Sequence, residues 1–328
     1  MDLYQVIKDK KVLFITSKNI DYIRNVQEIR LLKKYSAEVE IIYSTKKNNF
    51  ARMLSVWRKI ERKSINRNDI VFVGFAPQLI IPFWTTSFKD KFVIIDFFIS
   101  VYDTLICDRK KFKDGGLVSK ICHKLDEKTI EKSDFIITDT RIDAEYFIQE
   151  FNGKRDKFIT VYLEADKSVY YPRKQQKRSE LKNKYVVLYF GSILPLQGVD
   201  IVLDAVKLLQ EEKKIFFQII GPIPKKYNKP IQDNVEYIEW LTQEQLAEYI
   251  ANADLCLAGH FNGEINKAKR TIPGKAYIYS AMKKTMVLGD NEANREVFSD
   301  NMMVFFTEMG NSICLKNVII DLYFKIGI

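Results

Sequence analysis

Short apolar runs rich in β-branched and aromatic residues recur along this chain. Between them lie stretches whose apolar positions return at helical spacing. In the first half the runs fall at 12–16, 39–44, 70–75, 92–98, 135–139 and 158–163. Several are apolar throughout, the pattern of strands covered on both faces of a parallel sheet. Ile23, Val26, Ile29 and Leu32 form one intervening helical stripe. Strand, helix and strand in repetition predict a parallel sheet with right-handed crossovers.

The stretch from Pro172 to Arg178 is polar, charged and without core residues, as an interdomain linker should be. Beyond it the alternation restarts, with apolar runs at 186–190, 215–220, 235–240, 255–258, 286–288 and 303–306. Helical patterns fall between them, notably Ile201-Ala205-Leu208-Leu209 and Leu246-Tyr249-Ile250, and residues 312–324 read as one last helix. The expected architecture is α/β. Two tandem Rossmann-like domains, 1–172 and 185–310, are joined by a linker over 173–184 and face a central cleft. A final helical segment, 311–328, is free to pack back toward the first domain. Open parallel sheets bind ligands at the carboxyl ends of their strands, so the residues just after strands carry the functional interest.

Composition narrows the class. A chain of 328 residues is long for one core and suits two. With 47% hydrophobic and 29% charged residues it is ordinary for a globular protein. Cys107, Cys122, Cys256 and Cys314 are scattered without paired spacing, which predicts reduced thiols and no structural zinc site. The first residues lack the basic-then-apolar layout of a secretory signal, and no apolar run approaches the roughly 20 residues that span a bilayer. These features predict a cytoplasmic protein. Its formal net charge of +10 is unevenly spread, with 31 Lys and Arg against 24 Asp and Glu up to Pro172 and 21 against 18 after it. Such a surface attracts phosphates, whether of nucleic acid, anionic lipid or a nucleotide.

Two clusters stand out in the second half. The run 186–190 leads into Gly191-Ser192-Ile193-Leu194-Pro195-Leu196-Gln197-Gly198, and a helix follows from Val199. A glycine at each end permits a tight loop and close backbone approach, and the free amides of a helix N-terminus then face an anion. A βα turn that binds nothing has the same spacing. The second cluster is Lys267-Ala268-Lys269-Arg270-Thr271-Ile272-Pro273-Gly274-Lys275, followed by an apolar helical pattern. Pro273 suits a first helical turn, which places Lys275 in that turn, against the helix dipole. Anion binding accounts for a lysine there, and so does a solvated charged face.

Together these clusters resemble the carboxyl-terminal domain of the family-4 retaining glycosyltransferases of the GT-B fold. The matching residues are Tyr189-Phe190-Gly191 through Gly198 with the helix Val199-Asp200-Ile201-Val202-Leu203-Asp204-Ala205. Ile219-Ile220-Gly221-Pro222, Ala253-Asp254-Leu255-Cys256-Leu257, Ile272-Pro273-Gly274-Lys275 and Asn294-Arg295-Glu296-Val297 complete the match. The first half is similar through Ser133-Asp134-Phe135-Ile136-Ile137-Thr138 and Leu163-Glu164-Ala165-Asp166 leading to Tyr171-Pro172. The resemblance implies transfer of a sugar from a nucleoside diphosphate donor with retention and with no resident metal or cofactor. UDP- or GDP-linked sugars come first as donors. Donor contacts then fall to Gly191, Ser192, Gln197, Gly198, His260, Lys275 and Glu296, the donor lying mainly on the second domain and the acceptor on the first. The family's loop usually carries an arginine and a lysine that grip the diphosphate, and those places here are Ser192 and Gln197. Its two spaced glutamates fall near Arg270 and Ile278. Lys275 and Arg270 are left to stabilise the leaving diphosphate.

Other residues have competing readings. His260 follows the 255–258 strand at the cleft end, where it can touch the donor sugar or be incidental. Asp96 and Asp103 are candidates to orient an acceptor hydroxyl, and each can equally cap a helix. Glu296 stands where the family has a glutamate near the ribose, or is an exposed helix residue, and His123 reads as surface. Within 46–67 the stripe Phe50-Met53-Leu54-Trp57-Ile60 is flanked by Lys46, Lys47, Arg52, Arg58, Lys59, Arg62, Lys63 and Arg67. That suits a helix lying on an anionic membrane at the inner face, and also an ordinary crossover helix packed on the sheet. No nucleic-acid-binding motif is visible. The resulting expectation is a glycosyltransferase that builds a cell-surface polysaccharide on a glycan or lipid-linked acceptor. The alternatives are a GT-B nucleotide-sugar epimerase and a non-catalytic subunit that supports a partner glycosyltransferase.

Overall fold

The computed structural model describes residues 2–192, 194–301 and 303–326. Ile193 of the glycine-bearing loop and the last two residues of the expected 311–328 segment lie outside that description. The chain divides into two units, Met1–Leu163 and Glu164–Ile328.

In the first unit, β1 (Lys11–Thr16), β2 (Glu38–Ile42), β3 (Ile70–Phe75), β4 (Phe92–Asp96), β5 (Phe135–Thr138) and β6 (Phe158–Thr160) form one parallel sheet. Their spatial order is β2-β1-β3-β4-β5-β6. Strand side chains alternate between faces, so each apolar strand feeds two cores. Leu13, Ile15, Val71 and Val73 enter one hydrophobic cluster, and Val12, Phe14, Ile70 and Phe72 enter the other.

The second unit repeats the plan. β7 (Tyr185–Phe190), β8 (Ile215–Ile220), β9 (Val235–Ile238), β10 (Leu255–Gly259), β11 (Met286–Gly289) and β12 (Val304–Thr307) are parallel, in the order β12-β11-β10-β7-β8-β9. The order reverses between β7 and β10. In open α/β sheets such a reversal leaves a crevice at the carboxyl ends of the two strands, the usual ligand position. The matching reversal in the first unit lies between β1 and β3.

Three local expectations change. The last helix, Ser312–Ile326, was free by sequence to reach toward the first domain. Instead it places Leu315, Ile319 and Leu322 in the second unit's own core with Val199, Val202 and Val206. The helix Ile23–Tyr35 buries Arg24, Asn25 and Glu28 as well as Ile29 and Leu32, so polar residues occupy part of its inner face. In the helix Asn49–Arg62, Val56 and Ile60 are core residues. Trp57 there packs its ring 5.2 Å from Trp84 and donates its indole N–H to the Leu79 carbonyl. Arg52 is turned inward onto the carbonyls of Lys46 and Lys47. Much of the stripe is therefore a crossover packing face, while Phe50 and Arg58 remain exposed.

The polar stretch after Pro172 is held along the second unit. Arg173 pairs with Glu244 and Glu248, Gln175 donates to the Asp254 carboxylate, and Lys177 pairs with Asp254.

Candidate functional site

The loop after β7 and the loop after β10 meet at the point where strand order reverses. The β7 loop turns through Pro195–Gln197 into the helix Val199–Leu208, and Gly198 at the junction is left-handed, with φ 64°. A Cβ at Gly198 would stand 2.6 Å from the Asn262 amide nitrogen. Only glycine satisfies both the backbone angle and that approach. Phe261 is fully buried, donates its amide to the Gln197 carbonyl at 3.2 Å and accepts from the Gly310 amide at 2.7 Å. A side chain at Gly289 would collide with the His260 carbonyl. The 259–261 backbone is thus clamped from three sides, and it presents His260.

The glycines give the tight loop and close approach expected of them, but their own amides are occupied. The Gly191 amide donates to the Ile220 carbonyl at 3.0 Å, and the Gly198 amide to the Pro195 carbonyl at 3.1 Å. Neither N–H is left for a ligand. What Gly191 supplies is clearance: a Cβ there would strike the Gln197 carboxamide and lie 3.3 Å from Lys275 Nζ. The Gln197 oxygen accepts from the Tyr189 hydroxyl at 3.2 Å, which holds the carboxamide over the loop. Ser192 is exposed on it.

Lys275 reaches this loop from another element. It stands in the first turn of the helix Gly274–Ala281, after Pro273. Its side chain is only 6% exposed, and Nζ lies 3.9 Å from the centroid of the Tyr189 ring. The ring face offers the cation some attraction, but Nζ has no hydrogen-bond partner. Burial pulls its pKa down from 10.5 to about 7. His260 is equally buried, and its Nδ1 likewise has no partner. Burial first, then the charges of Lys275 and Lys267, push its pKa down to about 3, so the imidazole is neutral. A buried amine and a buried neutral imidazole, both with unused polar atoms, form a setting that an anion would complete. Diphosphate oxygens would satisfy the ammonium, and His260 would be left to hydrogen-bond rather than carry charge.

Arg270 and Glu296 sit on two adjacent short helices. Arg270 ends Asn266–Arg270 and is buried, while Glu296 follows Glu292–Arg295 and is half-buried. The Asn291 side chain ties these helices together, capping the second and donating to the Ala268 carbonyl at 3.2 Å. Ile278 is half-buried on the Lys275 helix. Among the described residues no group of three His, Cys, Asp or Glu is placed to hold a metal.

In the first unit Asp96 is fully buried, and both its carboxylate oxygens accept from the Arg24 guanidinium, at 2.6 and 2.9 Å. Arg24 also meets Asp139 at 2.8 Å and the Val161 carbonyl. Asp96 therefore fixes Arg24 rather than standing open to an acceptor. Glu28 packs alongside, and burial, then the neighbouring Asp96, raises its pKa well above the usual range. Asp103 is buried too, opening the wide turn Asp103–Asp108. His123 is half-buried and lies 3.2 Å from Glu150.

Sequence reasoning missed Arg24, Glu28 and Asp139, and it named Tyr189 in the matching motif without giving it a role. Tyr189 was hidden inside an apolar strand. Arg24 and Glu28, spaced i and i+4 on the inward face of an amphipathic helix, were the available signal for the first-unit cluster.

Residues 184–323 match the family model for glycosyl transferases group 1. A search of curated proteins returns no match. Among solved structures the chain is similar to the HepE protein of Anabaena, solved in complex with UDP and glucose. Its TM-score is 0.63 at 14% identity, over 97% of this chain and 90% of that one. Sucrose-phosphate synthase from Thermosynechococcus elongatus gives 0.68 at 8% identity, over 96% and 90%. A glycosyltransferase from Rickettsia africae gives 0.63 at 11%, over 97% and 89%. At such identities the likeness is one of fold. The likeness to glycosyl transferases group 1 thus lies in residues 184–323, and the chain as a whole has the GT-B fold.

Proposed function

We propose that this protein is a glycosyltransferase that takes a sugar from a nucleoside diphosphate donor, UDP- or GDP-linked, and passes it to a glycan or lipid-linked acceptor. We assign it retention of configuration, no metal requirement, and a place at the inner face of the membrane in cell-surface polysaccharide assembly. The group 1 domain match and the UDP complex of a fold relative support the donor class.

The observation that carries the reading is Lys275. Loss of a nucleoside diphosphate concentrates negative charge on phosphate oxygens. A fixed cation in a water-poor pocket stabilises that charge far more than one in bulk solvent. The β7 loop offers no cation, since Ser192 and Gln197 stand at the family's basic positions. The Lys275 ammonium instead arrives beside Gln197 from the helix Gly274–Ala281.

A second reading has its own support. Missing basic groups on the loop and Ile278 in place of a ribose-binding glutamate suit a non-catalytic subunit that supports a partner enzyme. A nucleotide-sugar epimerase on the same fold is the remaining rival. The separating experiment is a panel of UDP-, GDP- and dTDP-sugars, followed by thermal shift and by turnover in EDTA. Stabilisation with transfer to acceptor supports the transferase. Stabilisation without turnover favours the subunit, and conversion of the donor sugar alone favours the epimerase.

A further inference from the structure

The helix Leu117–Glu131 exposes apolar residues at its N-terminal end, beyond which its outer face carries Lys124, Lys128 and Glu131. Its buried residues are Ser119, Cys122, Asp126, Thr129 and Ile130, mostly small or polar. Its outward face at the N-terminal end carries Leu117, Val118 and Ile121, which are 77%, 37% and 51% exposed. Phe112, just before the helix, is 45% exposed. A surface helix of a soluble domain ordinarily does the reverse, and contiguous exposed apolar side chains mark a contact surface. Leu117 and Ile121 are four residues apart and Val118 and Ile121 three, so the three form one patch.

The charge around the patch is one-sided. Arg109, Lys110, Lys111, Lys113 and Lys120 are all exposed, and none is held in an ion pair among the described residues. Asp114 is the only acid from Arg109 to Ile121, and its carboxylate accepts from Ser119 and Tyr102. The patch is also firmly supported. Buried Asp126 accepts from the Ser100 hydroxyl at 2.7 Å and from the Tyr102 amide at 2.8 Å, which ties the helix to the chain leaving β4.

Its place in the fold follows from the topology. β4 ends at Asp96 and β5 begins at Phe135, so this helix carries the chain from the carboxyl end of the first sheet back to its amino end. The N-terminal end of the helix, with the patch, therefore lies at the carboxyl end of that sheet. This is the end where ligands of parallel sheets bind.

We infer that residues 109–121 are the surface by which the protein sits on an anionic membrane, with Phe112, Leu117, Val118 and Ile121 in the acyl boundary and the five cations on headgroup phosphates. This rests on the membrane-side acceptor proposed above and moves the contact from 46–67, where Val56, Ile60 and Arg52 face inward, to a different element. Apolar insertion supplies salt-resistant affinity, and the cations supply attraction that salt screens.

The test is co-sedimentation with phosphatidylcholine vesicles, with and without about one-third phosphatidylglycerol, at low and high salt. Wild type should bind the anionic vesicles, and the pair Leu117→Ser with Ile121→Ser should weaken binding at least about tenfold, with melting temperature unchanged. Lys110→Glu with Lys111→Glu should weaken it at low salt. The comparison pair Arg58→Glu with Lys46→Glu, on the other basic face, should bind nearly as wild type. Failure of wild type to bind, or loss only in the Arg58 and Lys46 pair, overturns the assignment. So does a concentration-dependent dimer in sedimentation velocity that the Leu117 and Ile121 changes abolish, since the patch would then join two copies. Turnover on a water-soluble acceptor is read in parallel, because its absence tells against the transferase reading and leaves vesicle binding to be judged alone.

Discussion

Lys275 is an amine whose burial removes water without supplying a hydrogen-bond partner, and its neighbourhood makes chemical sense once an anion is present. Lys275→Ala is expected to lower turnover by at least about a hundredfold, the usual cost of roughly 3 kcal/mol for one charge-stabilising group, while the fold is kept. Arg270→Ala should weaken donor binding less, and Lys269→Ala, an exposed neighbour, should be nearly silent in the same steady-state assay. The low pKa makes a separate prediction. The folded value of about 7 lies below the ordinary 10.5, so between these pH values the unfolded chain holds more protons at this site. Its contribution to stability should therefore rise with pH over that window, and Lys275→Met should flatten the trend in urea titrations. A nucleoside diphosphate bound at pH 8 should draw a proton onto Lys275. Calorimetry in buffers of different ionisation enthalpy reads that uptake, and heats independent of the buffer would place the diphosphate elsewhere.

At the scale of elements, strand positions were legible because strands covered on both faces must be apolar along their length. The runs at 12–16, 70–75 and 215–220 lie within one residue of the observed β1, β3 and β8. Helix faces were less legible. Arg24 and Asn25 are buried because they meet other polar groups, and periodicity alone has no means of counting such partners. The last helix shows the same limit, since its apolar stripe fits any complementary surface and only the packing identifies which one. Leu315 is fully buried against the second unit's core, so Leu315→Ala should destabilise that unit by about 2–5 kcal/mol in denaturant unfolding. A change under 0.5 kcal/mol would mean that the helix does not pack there.

For the whole molecule, two sheets with separate cores make each unit a candidate for independent folding. The fragment Glu164–Ile328 contains β7, β10, Lys275, His260 and the final helix. It is expected to melt cooperatively and to be stabilised by uridine or guanosine diphosphate, yet to transfer no sugar without the first unit. A fragment that is folded but indifferent to every nucleotide would remove the donor site from this unit. Among the described residues no helix is long and apolar enough to cross a membrane.

The strands among the described residues and the doubling of the α/β plan could be read from the order of residues along the chain. These depend on local alternation, glycine and proline chemistry, and the order of short motifs, all written along the chain. Only the folded chain shows that the Gly191 and Gly198 amides are occupied, and that Lys275 lies over Tyr189 beside Gln197. It also shows that Asp96 is committed to Arg24 and that Leu117, Val118 and Ile121 face outward. The physical reason is common to all of these. Whether a charge is buried, paired or available depends on groups brought in from distant segments, and desolvation and hydrogen bonding act on the assembled neighbourhood rather than on spacing along the chain.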